Sequence, residues 1–123
     1  MKIVIADRSA LICERLEAMF NNIDDVQVVD VISDVKMIFD SIRKNVPDVL
    51  ILDSELLGIN GIDLIKNLKR VSFIPLLIML TNYSLPQYRR RYLDAGADFH
   101  FDKAYEFNKI PDAMNCLKMR QAG

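Results

Sequence analysis

Short, almost wholly apolar runs that alternate with longer amphipathic stretches constrain this chain more than any other feature. Lys2 to Ala6 is apolar after its first residue, and Val49 to Leu52 and Leu76 to Leu80 are apolar throughout. Val26 to Val31 is rich in β-branched residues. A strand that buries one face alternates apolar with polar residues, whereas a continuous run needs cover on both faces. The continuous runs therefore predict strands of a parallel sheet with helices on either side, Val26 to Val31 predicts a second strand, and Phe99 to Phe101 a short fifth one.

The intervening stretches have helical spacing. Ser9 is positioned to cap a helix to about Asn21, with Leu11, Ile12, Leu16, Met19 and Phe20 as its apolar stripe. Asp34 to about Asn45 repeats the pattern with Val35, Ile38, Phe39 and Ile42. Leu56 to Gly61 is expected to be a loop, and Asn60 or Gly61 to open a helix to about Arg70. Ser84-Leu85-Pro86 marks the start of a helix to about Ala95, closed by Gly96. Pro111 inside a helix would cost ~3 kcal/mol or more. The last helix is therefore predicted to begin with Pro111 at its first position and to run to about Met119. Residues 104–110 are left as a loop that has room for a helical turn, and Gln121 to Gly123 as a fraying tail. With 123 residues, the chain has the length of one domain, expected to span 1–123.

A formal net charge of −1 argues against nucleic acid as a partner. No apolar stretch approaches the ~20 residues of a membrane span, and Met1-Lys2 runs straight into the first strand without a secretory leader. Cys13 and Cys116 lack metal-binding or redox spacing and read as free thiols. A soluble, cytoplasmic protein is expected, with no output domain after the last helix.

In a doubly wound sheet, ligands bind at the carboxyl ends of the strands. Asp7, Asp53, Thr81 and Lys103 each stand just past such an end. Crowded carboxylates repel each other unless a cation lies between them, and oxygen ligands with retained waters suit Mg2+. Each residue alone has a plainer reading as a helix cap or turn former; four together at one edge point to a site.

At this point the chain resembles a known family. Ile3-Val4-Ile5-Ala6-Asp7-Arg8-Ser9-Ala10-Leu11 is similar to the first strand and acidic pair of response-regulator receiver domains. Pro47 to Asp53 resembles the strand that carries their phosphoacceptor aspartate, and Gly58-Ile59-Asn60-Gly61 their Gly-x-Asp-Gly segment. Pro75 to Thr81, and Ala95-Gly96-Ala97-Asp98 with Asp102-Lys103, resemble the remaining blocks. The resemblance covers essentially the whole chain. It implies an α/β, doubly wound (βα)5, flavodoxin-like three-layer sandwich with a parallel sheet in the order 2-1-3-4-5.

The resemblance also implies roles. Asp53 would accept a phosphoryl group from a histidine kinase or phosphotransfer protein in a two-component or phosphorelay system. Asp7, Asp53 and the backbone carbonyl of Glu55 would hold Mg2+, while Thr81 and Lys103 would contact the phosphoryl oxygens. The protein would be a switch rather than an enzyme acting on a separate substrate. A downstream protein would dock on the face of the fourth long helix, the fifth strand and the last helix.

Departures from the family pattern bear on these roles. Arg8 stands where a second acidic residue is usual. It either pairs with Asp53 and weakens metal binding, the arrangement expected in the unmodified protein, or turns to solvent. Leu57 and Ala104 replace prolines, which disfavours a cis peptide after Lys103. His100 occupies the position of a switch aromatic, or is a partly exposed strand residue with no signalling role. Tyr88-Arg89-Arg90-Arg91-Tyr92 is either a solvated helix face or a docking patch for an acidic or phosphorylated partner.

Two alternatives follow. One is a pseudo-receiver, an interaction module in which Arg8 suppresses phosphorylation. The other is a small flavodoxin-like enzyme, disfavoured because Asp7-Arg8-Ser9-Ala10 has no phosphate-binding glycine and Glu14 lies too far along its helix for acid–base pairing.

Overall fold

The structure, a computed structural model, describes residues 1–57, 61–70, 75–82 and 85–122. Five strands form one parallel sheet: β1 (Lys2–Ala6), β2 (Gln27–Ile32), β3 (Val49–Asp53), β4 (Leu76–Thr81) and β5 (Phe99–Asp102). Their order is β2-β1-β3-β4-β5, the doubly wound arrangement expected from the alternation of runs.

Strand pleat sorts the apolar runs into two cores. Ile3, Ile5, Val49, Ile51, Ile78 and Leu80 pack under α1 (Ala10–Asn21) and the last helix. Val4, Leu50, Leu52, Leu77 and Met79 face α2 (Ile38–Asn45) and α4 (Gly61–Leu68) on the other side. Each such fully buried side chain contributes about 1.5–3 kcal/mol relative to exposure. Both faces are thus fixed, and with them the edge where the strands end.

Ser9 caps α1 as predicted, its side chain accepting the Ile12 amide at 3.2 Å. Pro86 opens α5 (Pro86–Ala95), and Gly96 ends it with φ +127, a backbone region suited to glycine. Other boundaries differ from expectation. Before α2, residues Val35–Met37 wind as a tighter 3₁₀ turn capped by the Asp34 side chain. Ser54–Leu57, partly assigned to a loop, forms the one-turn helix α3 directly after β3. The last helix, α6 (Ile110–Ala122), starts one residue before Pro111 because a 3₁₀ turn at Phe107–Lys109 runs into it. Pro111 stays in the first turn, where its missing N–H costs nothing. The helix also takes in Gln121 and Ala122, expected to fray. The expectations at Gly58, Ile59, Asn60 and Ser84 fall outside the described residues.

Candidate functional site

Strand ends position the site. Asp7 follows β1, Asp53 closes β3, and Lys103 follows β5. All three side chains are buried. The Lys103 ammonium lies 2.8 Å from Asp7 Oδ2 and 3.0 Å from Asp53 Oδ1. The cation that relieves carboxylate crowding here is therefore the protein's own lysine. Backbone contacts hold the group in place. Lys103 N donates to Thr81 O at 2.8 Å, fastening the loop after β5 to the end of β4. Asp7 Oδ1 accepts the Ser9 amide at 2.8 Å, and Asp53 Oδ1 accepts the Glu55 amide at 3.1 Å from the first turn of α3.

Electrostatics follow from burial. Burial pushes the Asp53 carboxyl above its ordinary range and outweighs the Lys103 hydrogen bond, which pulls down; Asp7 adds to the rise. Burial alone would lower Lys103, but the hydrogen bonds to Asp7 and Asp53 reverse this and hold the ammonium above its ordinary value. Cys13, buried beneath Asp7, is pushed up by burial and then by the Asp7 charge, which leaves a poor nucleophile.

A cavity of about 360 Å³ opens over these groups, lined by Asp7, Arg8, Asp53, Glu55, Asn82 and Lys103, with Ser9 and Ile12 at its side. Asn82 was not anticipated. It follows Thr81 and donates its side-chain amide to the Glu55 carboxylate across the cavity mouth. Its place directly after a strand end was the available signal. Thr81 is buried at the same edge, yet it lines the adjoining cavity of about 400 Å³ with Leu85, Tyr88 and Tyr92.

The expected contact between Arg8 and Asp53 is absent. Among the described residues Arg8 forms no ion pair; it is exposed on the rim of the cavity, and Lys103 occupies the position beside the carboxylates. His100 also departs from the partly exposed reading. It is buried, stacked on Tyr92 with ring centroids 5.2 Å apart, and neither ring nitrogen has a hydrogen-bond partner among the described residues. Burial and then the Arg89 charge push its pKa below the usual value. The arginine run divides: Arg89 pairs with Glu106, Arg90 lies 4.0 Å from Asp94, and Arg91 is exposed. Tyr88 is exposed while Tyr92 turns inward.

Fit for Mg2+ rests on the oxygens. Asp7 Oδ2 is buried beside the Lys103 ammonium, 2.8 Å away, and a carboxylate oxygen has two lone pairs. It retains a lone pair for a cation. Asp53 and the Glu55 backbone complete a small oxygen set of the kind that a hexahydrated ion can join with several waters kept. No cluster of three or more acidic, histidine or cysteine side chains with metal-binding geometry occurs among the described residues.

A buried aspartate pair on a lysine thus lies at the carboxyl edge of a 2-1-3-4-5 sheet. The chain belongs to the response regulator receiver domain family, whose signature matches residues 3–115. It thus shares its fold and signalling class with the receivers of two-component systems. It is 25% identical over 118 residues to the sensory transduction protein LytT of Bacillus subtilis, covering 96% of this chain and 48% of that protein. It is 27% identical over 121 residues to the Fimbriae Z protein of Salmonella typhimurium, covering 98% and 56%. The chain thus spans about half the length of these relatives. Among solved structures it is similar to RcsB from Salmonella enterica serovar Typhimurium, solved bound to promoter rprA with phosphomimetic BeF3−. That match has a TM-score of 0.87 and 26% identity, over 97% of this chain and 60% of that one. The receiver domain of Francisella response regulator 1452 aligns with a TM-score of 0.85 and 22% identity over 98% of each chain.

Proposed function

We propose that this chain is a single phosphoacceptor receiver unit that takes a phosphoryl group on Asp53 from a histidine kinase or phosphotransfer protein and changes its partner binding in response. One observation carries the reading: Asp53 and Asp7 share the buried Lys103 ammonium in a cavity open to solvent. An Asp53 carboxylate oxygen attacks phosphorus, the bond from phosphorus to the donor atom breaks, and the donor leaves with that electron pair. Lys103 pairs with the incoming phosphoryl oxygens, and the Thr81 hydroxyl donates to one of them. Asp7, Asp53 and the Glu55 carbonyl would hold Mg2+, which neutralises phosphoryl charge when bound.

The added charge competes for Lys103 and so loosens its hold on Asp7. Because Lys103 N is bonded to Thr81 O, the change reaches the β4 and β5 ends together. The face formed by α5, β5 and α6, with exposed Leu85, Tyr88 and Arg91, is the docking surface for the downstream protein. A cytoplasmic setting accords with this, and none of the described helices is long and apolar enough to cross a membrane.

The test is mass spectrometry after incubation with acetyl phosphate and Mg2+. Wild type is expected to gain one phosphoryl group and Asp53→Asn none. An adduct that persists in Asp53→Asn overturns the assignment. The pseudo-receiver reading is kept for one observation, the cationic Arg8 on the cavity wall; it is favoured if wild type gains nothing while Arg8→Asp does.

A further inference from the structure

Arg8 lies on the ridge between two cavities. One holds Asp7, Asp53 and Lys103; the other, about 430 Å³, is bordered by Glu14 and Glu17. Both glutamates border the same cavity as Arg8, yet Arg8 pairs with neither among the described residues, nor with Asp7 or Asp53. The turn after β1 explains its place. Asp7 points inward and bonds the Ser9 amide, which leaves the residue between them at the rim. A permanent cation is thus kept at the mouth of an anionic pocket without a carboxylate to quench it.

We propose that Arg8 is a phosphoryl-binding residue. Its guanidinium swings onto the oxygens of the Asp53 adduct and supplies positive charge that lets the site take and keep the group with little dependence on a divalent ion. The proposal rests on Asp53 being the phosphoacceptor. Before transfer, Lys103 is already committed to two carboxylates at 2.8 and 3.0 Å. A phosphoryl group adds negative charge on the solvent side, where Lys103 alone is too few cations. A guanidinium presents paired N–H donors that match two phosphoryl oxygens, and it keeps its charge at every working pH. Because Arg8 is solvated and unpaired, its movement breaks no existing ion pair.

The covalent step balances without added reactants. Acetyl phosphate donates to an Asp53 oxygen, the new O–P bond forms as the old one breaks, and acetate leaves with the electron pair. The experiment compares wild type, Arg8→Gln, Arg8→Asp and Asp53→Asn, each with Mg2+ and with EDTA, following adduct mass over time. Wild type is expected to label in EDTA at a rate within about tenfold of that in Mg2+. Arg8→Gln should lose at least about tenfold in EDTA, equal to about 1.4 kcal/mol of transition-state stabilisation. Arg8→Asp should label only with Mg2+. Calorimetric titration with beryllofluoride in EDTA gives a readout apart from chemistry, with Arg8→Gln binding at least about tenfold more weakly than wild type. Wild type and Arg8→Gln labelling and binding equally in EDTA, or wild type labelling only with Mg2+, would overturn the role of Arg8 and leave Asp53 as phosphoacceptor. No adduct in any protein under either condition would overturn the phosphoacceptor reading, and the proposal with it.

Discussion

Lys103 and His100 are buried to a similar degree on β5 and the loop just after it, yet they are treated in opposite ways. Lys103 holds two carboxylates, and its burial is offset by that pairing. His100 stacks on Tyr92, with both ring nitrogens lacking hydrogen-bond partners among the described residues. A buried charge survives only with compensation, whereas a neutral imidazole can be carried at a smaller cost. The first group is built to stay charged and respond to charge. The second is built to stay neutral and fill space beneath α5. The proposed chemistry accordingly rests on the Lys103 cluster, while His100 is packed against Tyr92.

The largest expected effect breaks the first half of this contrast. Lys103→Met removes the cation and leaves two carboxylates facing each other in a buried site. Losing one partner of a buried ion pair costs about 3–5 kcal/mol. Denaturant unfolding at neutral pH should show a loss of that size. The loss should shrink in acid, as Asp53 takes up a proton and the repulsion disappears. A loss below about 1 kcal/mol, unchanged with pH, would mean that water already reaches the cluster.

A smaller effect of opposite sign tests the second half. His100→Phe keeps the ring and the stack on Tyr92 but removes a buried N–H that has no partner. Relief of such a group is worth about 1–3 kcal/mol. Chemical denaturation should therefore find His100→Phe more stable than wild type. Destabilisation would show that the imidazole has a partner in solution.

Much of the architecture was legible because buried parallel strands leave a plain signature. Their runs are apolar throughout, they end in polar residues, and the ends share one edge; Asp7, Asp53 and Lys103 converge for that reason. Ser9 and Gly96 were legible because caps have specific side-chain and backbone needs. Less was readable where local cues compete. The turn at Ser54–Leu57 is too short for periodicity, and the Asp53 side chain's bond to the Glu55 amide helps set it. The burial of His100 is not legible in the sequence because only the fold brings the Tyr92 ring of α5 over it. Arg8 was placed against Asp53 on charge alone. The charge argument was sound, but Lys103 reaches the carboxylates from a fixed strand end, while Arg8 would have to give up solvent for a position already filled.

The finest discrimination between the two regions is the sign of their pH dependence. His100 has a folded pKa below the unfolded value of ~6.5, because burial and then Arg89 disfavour the charged ring. The unfolded chain therefore binds the proton first. Stability from this group is fully present above ~6.5 and is lost as pH falls toward the folded pKa. The charges facing the ring from its surroundings include Glu106 and Asp102, which oppose the shift without reversing it. Asp53 is shifted the other way, its folded pKa lying above the unfolded value of ~3.9 because burial outweighs Lys103. Here the folded chain binds the proton first, so this group favours folding in acid and opposes it as pH rises through the folded pKa. Asp53→Asn should therefore be slightly more stable than wild type at neutral pH, by a gain within ~1 kcal/mol that fades once both states are protonated. His100→Phe should gain more below ~6.5 than above it. Unfolding free energies of the three proteins, measured across this acid range, should give difference curves of opposite slope. A flat Asp53→Asn curve would mean that Lys103 compensates Asp53 fully, and the contrast between the paired and unpaired groups would then lie in hydrogen bonding alone.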